Sequence, residues 1–327
     1  MKERNINLDL LKVLACFAVV GLHVFKYDYN SILITYLHYA CGFAVPVFFM
    51  VNGYLILNKK EVTYPYVLRK ILSILLVVTL WNALLFLAKL VVKHHFENPV
   101  ILVIKSLVQK GSIWQFWFLG AMILTYLAAP LLHKLVHRYQ KAYGIVLGVL
   151  AAGCLALQAA HWVKGGRLIE GYIQTFRIWT WLLYFVFGGY ARTLMEHLPK
   201  KLPYKAHAVL TAVLFLGFPV YQIYASDHIN YNLYYDDPVA TAANVLLFTV
   251  LMRFGCGERL KSAVSFLAPL GMGCYIIHPF LLKALSHFVG YSNALLPFVI
   301  YPSVLAVAFG ITWVLRRFKW TKYFVNL

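Results

Sequence analysis

Acidic charge is scarce in this chain: 11 Asp and Glu stand against 30 Lys and Arg in 327 residues, for a formal net charge of +19. Only 13% of its residues are charged, where an ordinary soluble domain carries about a quarter. Also absent are a polar stretch long enough for a soluble domain, an internal repeat and a low-complexity linker. The five cysteines, Cys16, Cys41, Cys154, Cys256 and Cys274, lie in or beside apolar runs without metal-ligand spacing. They read as buried thiols, and no metal is expected. What is present in quantity is apolar surface: 62% hydrophobic residues and a mean hydropathy of +0.72. Together these features exclude a soluble enzyme and imply a multi-pass membrane protein.

A basic excess of this size first suggests nucleic-acid binding. The charges, however, fall in short clusters between long apolar runs, so no nucleic-acid partner is expected. Runs able to cross roughly 30 Å of hydrocarbon occur at about 6–25, 33–57, 67–92, 114–136, 143–162, 172–194, 207–225, 238–255, 264–288 and 295–315. The expected fold class is therefore an all-α polytopic membrane protein, a single domain over 1–327 with about ten transmembrane helices. Twenty of the thirty basic residues fall in alternate connections and tails, and seven in the others. By the positive-inside bias this puts both termini in the cytoplasm and accounts for the net charge. Between spans three and four, Val100, Ile101, Ile104 and Val108 recur at helical spacing beside Lys105 and Lys110, which predicts an interfacial helix over Pro99–Gln109 on the outer leaflet.

The first span is unusual because Asp9, Lys12 and His23 all lie within it. Ionisable residues are costly in lipid and usually face a functional interior. Eleven helical steps from Lys12 to His23 make three turns plus about 20°, which puts both on one face roughly 16 Å apart. Asp9, three residues before Lys12, is placed to pair with it. Histidine exchanges a proton near neutral pH, so His23 is the candidate general base for activating a hydroxyl. The plain alternative is a histidine capping the outer end of the helix on a neighbouring carbonyl. His278 lies mid-span before Pro279, and either orients a reacting group or serves the carbonyl that the proline frees.

Asn52 and Gly53 in span two offer an amide and a close helix approach, for chemistry or for packing. Arg69 and Lys70 open span three beside Lys59 and Lys60, as positive-inside anchors or as ligands for phosphates. Trp114 and Trp117 read as membrane-belt residues unless they line a cleft. The connection Asp227–Asp237, rich in Tyr, Asn and Asp, is either an interfacial anchor or a polar lip for a sugar.

Taken in order, these pieces resemble the integral-membrane acyltransferase-3 family. The resemblance rests on Leu8-Asp9-Leu10-Leu11-Lys12 running to His23, the Pro46 to Tyr54 run, the basic start at Arg69, Trp117-Phe118-Leu119 with Tyr126 and Pro130, Phe187-Gly188-Gly189-Tyr190, and Tyr275-Ile276-Ile277-His278. It implies acetyl-CoA or another acyl-CoA as co-substrate, entering from the cytoplasm, with the first-span histidine as base. Lys12 stands where the family generally has arginine, and Asn52 where it often has serine. The chain ends almost with the tenth span, so the stand-alone kind without an extracellular esterase-like domain is expected.

The combined expectation is an acyl-CoA-dependent O-acyltransferase of the cell membrane, with a carbohydrate or lipid-linked sugar of the envelope as acceptor. Its catalytic candidates are His23, His278 and Asn52, and its donor-binding candidates Lys12, Arg69 and Lys70. The rival readings are a transporter or flippase for a lipid-linked glycan and a silent subunit of an envelope complex.

Overall fold

The computed structural model describes residues 4–25, 31–94, 96–164, 171–229, 235–286 and 295–326. Among them every regular element is helical. The α-helices in chain order are α1 (Ile6–Val24), α2 (Ile32–Ala40), α3 (Ala44–Leu57), α4 (Tyr64–Lys93), α5 (Pro99–Leu107), α6 (Trp117–Arg138), α7 (Gln140–Lys164), α8 (Ile178–Lys201), α9 (Tyr204–Ile229), α10 (Pro238–Met252), α11 (Glu258–Leu267), α12 (Gly271–Leu285) and α13 (Leu296–Leu315).

Several starts are written in the local sequence. Asn5 accepts from the backbone of Asn7 and Leu8 to open α1, and Thr63 accepts from that of Tyr66 to open α4. Asn98-Pro99 and Asp237-Pro238 each put a capping side chain before a proline whose missing N–H costs nothing in the first turn.

Eight helical stretches among the described residues are long and apolar enough to cross a membrane. Two expected spans fall short of that: α10 has 15 residues, about 22 Å, and α8 carries Arg192, Glu196, Lys200 and Lys201 towards its end. Two others are interrupted. The second breaks at a 3-10 turn, Cys41–Phe43, between α2 and α3, and the ninth at Ala268–Leu270 between α11 and α12. A helix forms where one was predicted between spans three and four, as α5 over Pro99–Leu107.

Burial sorts the spans into an inner group and a rim. About 61% of the apolar window is buried in α1, in α2 with α3, and in α6, against 28% in α4, α9 and α13 and 17% in α7. Helix α1 packs on α3, α12, α13 and α11, so the span that holds the ionisable residues is central. The tightest packing is between α3 and α8. A Cβ on Gly53 would collide with the backbone of Phe185, and one on Gly188 with that of Met50, so each helix needs glycine where the other's backbone comes closest.

Some of the charges expected near the outer surface are paired. Lys89 and Lys105 donate to the two carboxylate oxygens of Glu97, at 2.6 and 2.8 Å, which ties the end of α4 to α5. These two ammonium groups, Lys105 foremost, pull the Glu97 carboxyl down to about 2. Arg177 and Asp236 form a fully buried pair at 2.6 Å, and Asp236 also accepts from Trp179 and Thr180. Asp237 accepts from Gln158 and Tyr221 while capping α10. These two aspartates are therefore staples among α7, α8, α9 and α10 rather than an exposed sugar-binding lip. Tyr231, Asn232 and Tyr234 of the same connection lie outside the described residues.

Candidate active site

Helix α1 sets the axis of the site. Near its start Asp9, 5% exposed, accepts from Lys12 Nζ at 3.1 Å and also pairs with Arg4. The expected Asp9–Lys12 pair thus exists, with Arg4 as an added partner. Lys12 lines a cavity of about 540 Å³ together with Asn52, Lys70, Tyr126 and Arg316. Three cations consequently face one space. Arg316, at the end of α13, is held by the carbonyl of Pro269 in the interrupted ninth span. In the sequence Arg316 is one of the twenty basic residues of the alternate connections and tails, and nothing local marks its contact with Pro269.

Arg69 is not among the residues lining this cavity. It is exposed and its Nε donates to Pro65 of its own helix. One residue further on, 100° around α4, Lys70 faces inward. Asn52 is also settled in this cavity rather than beside the histidines. Its amide nitrogen donates to Phe48 O at 2.9 Å, and its carbonyl accepts from Tyr126 at 2.8 Å.

At the other end of α1, half-buried His23 lines a second cavity of about 340 Å³. Its ring centroid lies 5.1 Å from that of His278 and 5.4 Å from that of Trp114. His38, in the last turn of α2, has its Nδ1 2.7 Å from the Phe25 carbonyl just past α1. His38 itself lines the cavity, with Gln109, Gln174, Tyr235 and both Trp114 and Trp117. The tryptophans are thus cleft residues. His38 was missed because its place beside α1 rests on a contact with Phe25 that its local sequence does not announce.

Gln109 follows α5 in the left-handed region, at φ +61°, a conformation unusual outside glycine and asparagine. Its side-chain carbonyl accepts from the Gln174 backbone at 2.7 Å, so one surface loop is latched to another at the cavity mouth.

His278 is completely buried behind His23. Its Nδ1 lies 3.0 Å from Cys274 O, and a ring nitrogen facing a carbonyl must be the donor. The ring therefore bonds the Cys274 carbonyl of its own helix, whereas the carbonyl that Pro279 frees is that of Tyr275. That tautomer leaves Nε2 as the accepting atom, and Nε2 has no hydrogen-bond partner among the described residues. Packing of α12 on α1 sets this ring beside His23.

The two cavities lie in line along α1, about 16 Å between Lys12 and His23, and have Phe48, Phe118 and Tyr275 in common as wall residues. No group of three or more His, Cys, Asp or Glu is arranged to hold a metal among the described residues.

An Enterococcus faecalis protein named as an amino-acid racemase is 24% identical over 326 residues, covering 92% of this chain and 45% of that protein. The chain thus spans a little under half of that relative's length. No solved structure matches it. The sequence profile of the acyltransferase-3 family, described as an acyltransferase domain, matches residues 5–317, and the chain belongs to that family, as a multi-pass helical membrane protein.

Proposed function

We propose that this protein transfers an acyl group, acetyl in the first instance, from acyl-CoA to a hydroxyl of a cell-envelope carbohydrate or lipid-linked sugar. The observation that carries the proposal is the pair of cavities in series, one lined by Lys12, Lys70 and Arg316 and the next by His23. Phosphates suit the cationic end, where arginine supplies a fork and the lysines supply point charges. With the basic end in the cytoplasm, and α8 and α10 completing ten spans, the donor enters from the cell interior of a plasma or inner membrane. The distance of about 16 Å along α1 is of the order of an extended pantetheine arm, so the thioester reaches His23 while the phosphates stay among the cations.

His23 removes the proton of the acceptor hydroxyl. The oxygen attacks the thioester carbonyl, the new C–O bond forms, the C–S bond breaks, and the thiolate leaves to take up a proton as free CoA. His278 acts as a positioning residue that steadies the His23 ring by packing against it, with centroids 5.1 Å apart. Asn52 and Tyr126 line the donor's path. Arg69, lying off the cavity, guides the donor at the surface or anchors the membrane. The racemase name of the relative does not transfer, since more than half of that protein lies outside the matched region.

A transporter draws some support from the two interrupted spans, since broken helices are common in transporters. They are the second and ninth of ten expected spans, which are not corresponding positions in two halves. Turnover separates the readings. Detergent-purified protein is expected to hydrolyse labelled acetyl-CoA slowly, with the activity lost in His23→Ala while the variant remains folded. A His23→Ala variant with normal turnover would remove His23 from the chemistry, and a wild type inert towards every short acyl-CoA would favour transport.

A further inference from the structure

The two cavities meet at three aromatic rings. Phe48 of α3, Phe118 of α6 and Tyr275 of α12 each line both spaces. The rings touch in sequence, with Phe48 and Phe118 centroids 5.7 Å apart and Phe118 and Tyr275 centroids 5.8 Å apart. Two of the three are braced from behind. Phe118 stands edge-on to Phe49 at 5.2 Å, and Phe49 is stacked on Trp181 at 5.0 Å. Tyr275 donates its hydroxyl to the carbonyl of Gln115. Phe48 is half-buried.

On the donor path proposed above, the acyl group leads the pantetheine arm and must cross this ring set before its carbonyl reaches His23. Beyond the rings it enters a space of about 340 Å³, near the lower end of the range for small-molecule sites. That space must also admit the acceptor hydroxyl. Braced aromatics resist displacement, because interiors are close-packed and extra volume forces neighbours off their rotamers.

We propose that Phe48, Phe118 and Tyr275 form a sieve that sets the length of the acyl group this protein accepts, with Phe48 as its adjustable member. The sieve rests on the acyl-CoA reading, and it adds to that reading a specificity determinant for the donor. Its chemistry is steric: a two-carbon acyl group crosses, and each added methylene meets a ring edge.

The test compares hydrolysis of acetyl-CoA, butyryl-CoA and octanoyl-CoA by purified wild type, Phe48→Ala and Phe48→Trp. Wild type is expected to favour acetyl-CoA. Phe48→Ala is expected to raise the octanoyl-to-acetyl ratio of kcat/KM about tenfold or more, within the range by which a pocket discriminates added methylenes. Phe48→Trp is expected to lower the butyryl-to-acetyl ratio. Phe118→Leu, a milder change on the same aperture, gives a second opening should Phe48→Ala fail to fold. Turnover of acetyl-CoA with all ratios unchanged within about twofold would overturn the sieve alone. Absence of turnover with any acyl-CoA in wild type would overturn the donor assignment, and the sieve with it.

Discussion

The residues that matter most here are polar groups which would be expensive in the membrane if left alone. Asp236 sits 3% exposed with Arg177, Trp179 and Thr180 directed at it. Removing one member of such a pair strands the other charge, at a typical cost of 3–5 kcal/mol. Asp236→Ala is accordingly expected to lower thermal stability in detergent sharply, whereas an exposed substitution such as Lys261→Ala is expected to leave it nearly unchanged. Glu97 makes a prediction of the opposite kind. Its carboxyl is held near 2 when folded, against about 4.3 in an unfolded chain. The stabilisation is therefore fully present above about pH 4.3 and is lost as pH falls from there towards 2. Hydrogen exchange of the α5 amides is expected to stay slow at pH 5 and to quicken between pH 4 and 2, and Glu97→Gln is expected to abolish that step. For His278, positioning of His23 predicts a lowered kcat and an altered pH profile in His278→Asn, with KM for acyl-CoA unchanged. A merely structural role would leave the pH profile as it was.

At the scale of elements, the chain's signals were local where they succeeded. The apolar spacing of Val100, Ile101 and Ile104 announced α5, and the run from Leu8 to His23 announced α1 together with its charged face. Spacing along α1 was enough to place Lys12 and His23 on one side, and the cavities bear that placement out. The two interruptions were not legible as such, because Cys41–Phe43 and Ala268–Leu270 sit inside continuous apolar runs. Hydropathy records burial in lipid and is indifferent to a bent axis. His38 and Arg316 escaped the sequence reading because their places beside the cavities depend on contacts between elements distant in the chain. Arg69 and Lys70 show a second limit, since one basic cluster at a helix start was read as a unit although neighbouring residues point 100° apart. Packing between α3 and α8 gives a test at this scale. Gly53→Ala and Gly188→Ala are each expected to cost about 1–3 kcal/mol by forcing the helices apart. Because both open the same interface, the double variant is expected to cost less than the sum.

For the whole molecule, the arrangement is a membrane bundle whose central helix links a cationic cavity to a histidine-lined one. The rim helices supply lipid-facing surface and contribute little to either space, with Lys70 and Ile74 of α4 and Arg316 past α13 as exceptions. Family membership gives the class of chemistry, and on the reading proposed above the serial cavities give it a direction. The central claim is that donor binding and proton transfer occupy different ends of α1. Equilibrium binding of labelled acetyl-CoA to detergent-purified variants tests this most directly. His23→Ala is expected to bind the donor as tightly as wild type, and Lys70→Ala and Arg316→Ala to bind it several-fold more weakly. Donor binding lost in His23→Ala but intact in the two cation variants would contradict the account.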